Sequence, residues 1–288
     1  MHQFTGPGPY QELFIYYLRG RLKLRNQMFQ ENFIGNWQEE EDSFLFFSSS
    51  ANHQIEKLLQ HQPHVKYVDR YCMPYDHWLG EVFSTFEHGI FRIMPPWEIA
   101  GNRVDAFTDK HQILLDPGLV FGTGTHPTTR DCLEALELAA GSMQFSTVLD
   151  IGTGTGLLAL AAARLGSPRV IGVDLNFLAA KTAHRNVWLN RLEDRVIIAQ
   201  GRAEDIIAYA ADLVIANIHY DAMHNLISTK GFIAKKRFIL SGLMRSEAKE
   251  IADKLERHQI KILKQWTHDG AWHTFYGKTE PNGFYNTQ

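Results

Sequence analysis

Apolar and polar positions follow two different rhythms along this chain. Up to about residue 85 the apolar positions gather in strand-like runs, residues 12–18 (ELFIYYL) and 42–49 (DSFLFFSS), separated by polar stretches. One of these stretches is the acidic turn Glu39, Glu40, Glu41 and Asp42. Ile55, Leu58 and Leu59 then recur at helical spacing, and residues 64–71 (HVKYVDRY) read as a further strand. This pattern predicts a small α+β unit of about three strands and one or two helices, with no clear helix between the first two strands. From residue 73 (MPYDHW) to Gly118 the pattern is irregular, broken by Pro95-Pro96 and Gly101-Asn102. The boundary is therefore placed near residue 85, giving domains 1–85 and 86–288, the second starting with a linker over 86–118.

Beyond that linker the rhythm changes. Short β-type runs at 147–151, 169–174, 195–200, 212–217 and 237–242 alternate with helical patterns at 155–165, 177–190, about 220–228 and 244–257. Gly166 and Pro168 stop the first of these helices. Two closing runs, 260–266 (IKILKQW) and 272–277 (WHTFYG), bring the strand count to seven, the last hairpin adding an antiparallel member. Buried strands alternating with helices predict a Rossmann-like α/β fold with a doubly wound, mostly parallel sheet.

Composition narrows the class only slightly. A 288-residue chain with 44% hydrophobic and 21% charged residues can bury a sizeable core. A net charge near −3 with mixed signs argues against direct nucleic-acid binding through a basic field. Two cysteines, Cys72 and Cys132, exclude a disulfide framework or a cysteine-rich metal site. No apolar run approaches membrane-spanning length and the first residues lack an apolar leader, so the expectation is a cytoplasmic protein without a membrane partner. Fourteen histidines include His61 with His64, His219 with His224, and His268 with His273, but no H-E-x-x-H or acidic cluster accompanies them. Bracing roles are expected for them, and no metal. For Trp78, Trp97 and Trp272 two readings stand, a lining of the substrate entry and buried anchors between the domains, and the second is expected.

The candidate chemistry sits in two glycine-rich loops. After the strand TVLD comes Asp150-Ile-Gly152-Thr-Gly154-Thr-Gly156, opening a helix. Dinucleotide sites favour G-x-G-x-x-G, whereas this loop spaces its glycines G-x-G-x-G and puts Leu157 at the third dinucleotide position. The acidic Asp150 at the strand end suits a cationic ligand better than a pyrophosphate, and S-adenosylmethionine carries a sulfonium and an ammonium. Asp174 ends the next strand and can accept both ribose hydroxyls of any adenosine cofactor. In QGRAED, Arg202 occupies the position read against adenine, so backbone contacts from Ala203 are expected. The other loop, LLDPGLVFGTGTHPTTRDCLEAL (114–136), precedes a helix; Thr128 with Asp131 resembles a capping pair, and His126 can brace the turn.

This segment resembles the signature of the ribosomal protein methyltransferase family PrmA. The likeness continues through VLDIGTGTGLLALAAARLGSPRVIGVDL, ADLVIANI and FILSGLM, over most of residues 105–245. It implies a small ferredoxin-like substrate-recognition domain ahead of a seven-strand methyltransferase domain. It also implies a protein substrate, the eleventh protein of the large ribosomal subunit, methylated on lysine and N-terminal amines. Carried over residue by residue, Phe121, Gly122 and Thr123 would line the methionine end of S-adenosylmethionine, and the Thr128 hydroxyl would hydrogen-bond it. Gly152, with Asp150 and Gly154 in the same loop, would meet the methionine part from the strand side, and Asp174 the ribose. Asn217 would lie beside the transferring methyl group, unless it only caps the next helix. The family usually continues with small apolar residues after this asparagine; here Ile218, His219, Tyr220 and Asp221 follow. That stretch resembles the D-x-x-Y of other seven-strand lysine methyltransferases, which places His219 and Tyr220 as tentative substrate contacts. It keeps open a lysine target on another protein, such as an electron-transfer flavoprotein subunit, and a non-catalytic cofactor-binding module.

Overall fold

The computed structural model describes residues 10–23, 29–79, 83–99 and 111–279. The chain divides into two compact units, Met1–Ser84 with Asn176–Leu178, and Thr85–Leu175 with Ala179–Gln288.

The first unit is a sheet with a helix on one face. Its elements are β1 (Glu12–Arg19), β2 (Phe33–Glu39), β3 (Asp42–Phe47), α1 (Asn52–His61), β4 (Lys66–Pro74) and a short α2 (Tyr75–Leu79). The strand order β2-β3-β1-β4 is antiparallel throughout. Strands β1 and β2 thus run parallel on either side of β3, which is the split βαβ arrangement of ferredoxin-like folds. The described linking residues, 20–23 and 29–32, are not helical. Alternation along β1 and β3 turns Tyr16, Leu18, Leu45 and Phe47 inward, where Ile55 and Leu58, three apart on α1, cover them. The Tyr16 hydroxyl accepts from the Ala51 amide (2.8 Å) and donates to Asn52 Oδ1 (2.7 Å), fixing where α1 starts. Four strands form where about three were expected. Gly35 and Asn36 interrupt the β-type pattern of β2 and hid it.

The acidic turn is the β2–β3 hairpin, with Glu40 in the left-handed region (φ 52°). Two of its carboxylates are paired, Asp42 with Arg19 (3.5 Å) and Glu41 with Arg21 (3.8 Å). These pairs are exposed and add little stability, but they partly offset the negative charge of the turn.

The second unit opens with a three-stranded sheet, β5 (Phe86–His88), β6 (Phe91–Met94) and β7 (Gln112–Leu114), in the region read as irregular. Strands of three or four residues carry too few alternations to register as a pattern. Pro95 and Pro96 follow β6 and open a 3-10 turn, Pro96–Glu98, while Gly101-Asn102 lies outside the described residues. Then come α3 (Pro127–Ser142), β8 (Thr147–Ile151), α4 (Leu157–Arg164), β9 (Arg169–Asp174), α5 (Phe177–Leu189), β10 (Val196–Gln200) and α6 (Ala203–Ile206). The chain continues as β11 (Leu213–Asn217), α7 (Tyr220–Leu226), α8 (Lys230–Ile233), β12 (Arg237–Met244), α9 (Arg245–Arg257), β13 (Ile260–His268) and β14 (Trp272–Thr279).

The seven strands lie in the order β10-β9-β8-β11-β12-β14-β13. Strands β8 to β12 pair in parallel, and β14 is antiparallel to both of its neighbours. Helices cover both faces, so the central strands read as unbroken apolar runs; in β11, Leu213, Val214, Ile215 and Ala216 are all fully buried. From β8 the chain first winds toward β9 and β10, then returns to β11 and β12. The carboxyl ends of β8 and β11 therefore diverge at the topological switch point, where open α/β sheets bind ligands.

Candidate functional site

Both glycine loops meet at that switch point. The loop after β8 is folded back on β9: the Gly152 and Thr153 amides donate to the Val173 carbonyl (2.8 and 3.0 Å), and the Gly154 amide donates to Asp174 Oδ2 (3.0 Å). The earlier loop closes over it. Thr155 donates through its amide to the Phe121 carbonyl (3.1 Å) and through its hydroxyl to the Gly122 carbonyl (2.6 Å). A small cleft remains, lined by Phe121 and Gly122 from one loop and by Gly152, Thr153 and Gly154 from the other. Thr129 of α3, Leu157 and Leu158 of α4, and Asn217 of β11 complete it.

Two glycines there are required by shape. Gly152 and Gly154 have φ of +71° and +55°; a Cβ on Gly152 would strike the Ile218 side chain, and one on Gly154 the Phe121 carbonyl oxygen.

Asp150 is 1% exposed and accepts from the Thr153 hydroxyl (2.6 Å) through Oδ2. The Ala159 amide faces the carboxylate, but Oδ1 makes no hydrogen bond of normal geometry among the described residues. Burial, and less so the nearby Asp174, pushes its pKa up to about 7, against the favourable Thr153 contact. A buried carboxylate with an unsatisfied oxygen, in the same loop as Gly152 and Gly154, suits a cationic group. Since folding takes up a proton on this acid between about pH 4 and 7, Asp150 lowers stability progressively as pH rises through that window. Without ligand, Asp150→Asn is expected to gain stability over the parent as pH rises from 4 to 7, by up to about 4 kcal/mol. Urea unfolding at four pH values measures this; a pH-independent difference would show an ordinary carboxyl.

The remaining expected site residues have different surroundings. Thr123 contacts Thr125 (2.9 Å between hydroxyls) within the loop. Ala203 is the first residue of α6, with Arg202 as its N-cap, just past the end of β10. Asn217 does not cap the next helix: His219 holds the N-cap position of α7 and makes no side-chain capping bond. The Asn217 amide nitrogen instead faces the hydroxyls of Thr128 and Thr129, both at a long 3.4 Å. Tyr220 contacts the His224 ring (5.6 Å between centroids), and its hydroxyl faces Glu250 of α9, which pushes its pKa up to about 12.

The capping pair read at Thr128 and Asp131 is not what starts α3. His126 is the N-cap, its ring nitrogen accepting from the Thr128 amide (3.3 Å), with Pro127 at the first helical position. Thr128 and Asp131 are buried. Asp131 Oδ1 meets His268 Nε2 (2.7 Å), and its Oδ2 accepts from Thr274 (3.0 Å). Thr274 lies 2.6 Å from the Ser241 hydroxyl, which donates to the Thr128 carbonyl (3.3 Å). This buried chain ties the start of α3 to β12 and β14. Burial raises the Asp131 pKa, and His268 and Thr274 oppose the rise.

The tryptophans are not buried anchors. Trp78 is 37% exposed, Trp97 and Trp272 are half-buried, and Trp272 packs edge-on against His126 (5.1 Å). Among the described residues no group of three or more histidine, cysteine or acidic side chains forms a metal site. No helix among them is long and apolar enough to cross a membrane.

A sheet of order β10-β9-β8-β11-β12-β14-β13, with a glycine loop after β8 and carboxylates at the ends of β8 and β9, defines a class I methyltransferase fold. Comparison with known proteins agrees. The model of the family "Ribosomal protein L11 methyltransferase (PrmA)" matches residues 39–280, and the chain belongs to that family. A ribosomal protein L11 methyltransferase of Halalkalibacterium halodurans is 36% identical over 181 residues, 60% of this chain and 56% of that protein. One of Desulforamulus reducens is 39% identical over 185 residues, 62% of this chain and 57% of that protein. The chain thus aligns with little more than half the length of these curated relatives. The crystal structure of a ribosomal protein L11 methylase from Lactobacillus delbrueckii subsp. bulgaricus is 27% identical with a TM-score of 0.58, covering 69% of this chain and all of that one.

Proposed function

We propose that this chain transfers methyl groups from S-adenosylmethionine to lysine or N-terminal amines of a ribosomal protein. The observation that carries the reading is the cleft itself, which the two loops line together with Asn217, with the buried Asp150 two residues before Gly152. Gly152, Gly154 and Asp150 would hold the methionine part of the cofactor, Asp174 its ribose, and the Ala203 backbone its adenine. Phe121, Gly122, Thr123 and Thr128 would close the site from the other side. The bound cofactor supplies an electrophilic methyl group on a cationic sulfur.

What the chain adds is placement. A lysine amine must be neutral to attack, and its free pKa lies near 10.4. Drawing it into a cleft walled by Phe121, Leu157 and Leu158 lowers that value without a dedicated base. The Asn217 amide oxygen would accept from the amine and aim its lone pair, and holding reacting atoms in line is worth on the order of 7–11 kcal/mol in favourable models. The first unit would select the protein substrate.

Calorimetry is expected to show binding of S-adenosylmethionine and its demethylated product in the micromolar range, and none of NAD. Asn217→Ala is expected to slow single-turnover transfer to purified ribosomal protein L11 at least tenfold while changing cofactor affinity less than threefold. An unchanged rate would mean that another group orients the amine.

A further inference from the structure

An asparagine amide can face the substrate with either its oxygen or its nitrogen, and only the oxygen can receive an amine proton. Something must hold the flip. The groups next to Asn217 identify it. Two groups of one residue converge on His126 Nδ1: the Thr128 amide, which donates to it at 3.3 Å, and the Thr128 hydroxyl at 2.8 Å. A backbone amide can only donate, so Nδ1 carries its lone pair and the ring proton sits on Nε2. The hydroxyl proton of Thr128 is then also drawn to Nδ1. That leaves Thr128 Oγ1 to accept from Asn217 Nδ2, 3.4 Å away, with Thr129 Oγ1 at the same distance. The nitrogen of the amide faces α3, and the oxygen faces away from it.

We infer that His126 sets the orientation of the Asn217 amide through the Thr128 hydroxyl, and so acts as a positioning residue for methyl transfer. The inference rests on the functional reading above. Its ring is held by edge contacts with Phe121 (5.3 Å) and Trp272 (5.1 Å). Burial lowers its pKa, which keeps Nδ1 free as an acceptor. Without that acceptor, the Thr128 hydroxyl would turn its proton toward Asn217 and favour the opposite flip. The amide would then present N–H groups to an amine that needs an acceptor.

Three variants separate this role from packing. His126→Asn puts Oδ1 near the place of Nδ1 and retains the acceptor; His126→Leu and Thr128→Val remove one end of the link. In full-length protein labelled with ¹⁵N, the Asn217 side-chain amide resonances, identified by their loss in Asn217→Ala, are expected to move in His126→Leu and Thr128→Val. In His126→Asn they are expected to stay. Resonances of His126→Leu matching the parent would overturn the inference, whether or not the protein proves to be a methyltransferase. In single turnovers with purified ribosomal protein L11, His126→Leu is expected to slow transfer ten- to hundredfold with cofactor affinity within threefold. His126→Asn should stay within threefold of the parent rate, and His126→Leu should add nothing to Asn217→Ala. Parent-like rates in His126→Leu, or an equal loss of rate and cofactor affinity, would also overturn it. If the parent itself labels no ribosomal protein, the functional reading fails while the resonances still decide the link.

Discussion

Replacing Gly154 with valine is expected to weaken S-adenosylmethionine binding more than a hundredfold. The position has φ of +55°, and its Cβ would run into the Phe121 carbonyl oxygen. That carbonyl already accepts from Thr155 and cannot retreat without parting the two loops. Strain at a left-handed residue costs on the order of 1–3 kcal/mol before any clash is counted. The clash would also push apart the loops that line the cleft, so affinity should fall more than stability. Calorimetry of the variant beside a thermal melt separates the two. A stable variant that binds as well as the parent would refute the proposal that this cradle holds the cofactor.

Asp174→Ala is expected to cost tenfold to a hundredfold in cofactor affinity. One carboxylate oxygen braces the glycine loop by accepting from the Gly154 amide at 3.0 Å. The proposed ribose contacts add charge-assisted hydrogen bonds that together contribute roughly 1.5–3 kcal/mol. Asp174→Asn separates the roles. Its neutral oxygen can still accept from Gly154, so loop stability should return while affinity recovers only in part. Equal, full recovery of both would assign Asp174 to the loop alone.

Much of this architecture could be read from the chain because its strands are buried on both faces. β8 and β9 fall on the runs 147–151 and 169–174 residue for residue, since unbroken apolar stretches between glycines and charged residues leave little choice of boundary. β2 was hidden by Gly35 and Asn36, and β5 to β7 by their brevity. The site was legible where backbone geometry demands a residue type, as at Gly152 and Gly154. It was obscure where side chains meet across long stretches of sequence: Asp131 and His268 are 137 positions apart, and no spacing rule connects them. Thr128 looked like a cap because threonine is a common one, yet the cap is His126, a less usual residue type for that position. Thr129 and Thr153, on the cleft wall, escaped notice beside more conspicuous glycines.

The identity of the protein that receives the methyl group decides the proposed function. Full-length chain incubated with labelled S-adenosylmethionine and purified ribosomal protein L11 is expected to add methyl groups to that protein, mapped by mass spectrometry to lysine side chains or its N-terminal amine. Asn217→Ala should reduce the label sharply. The absence of transfer to ribosomal protein L11, alongside strong labelling of a different protein in a lysate, would contradict the proposed substrate.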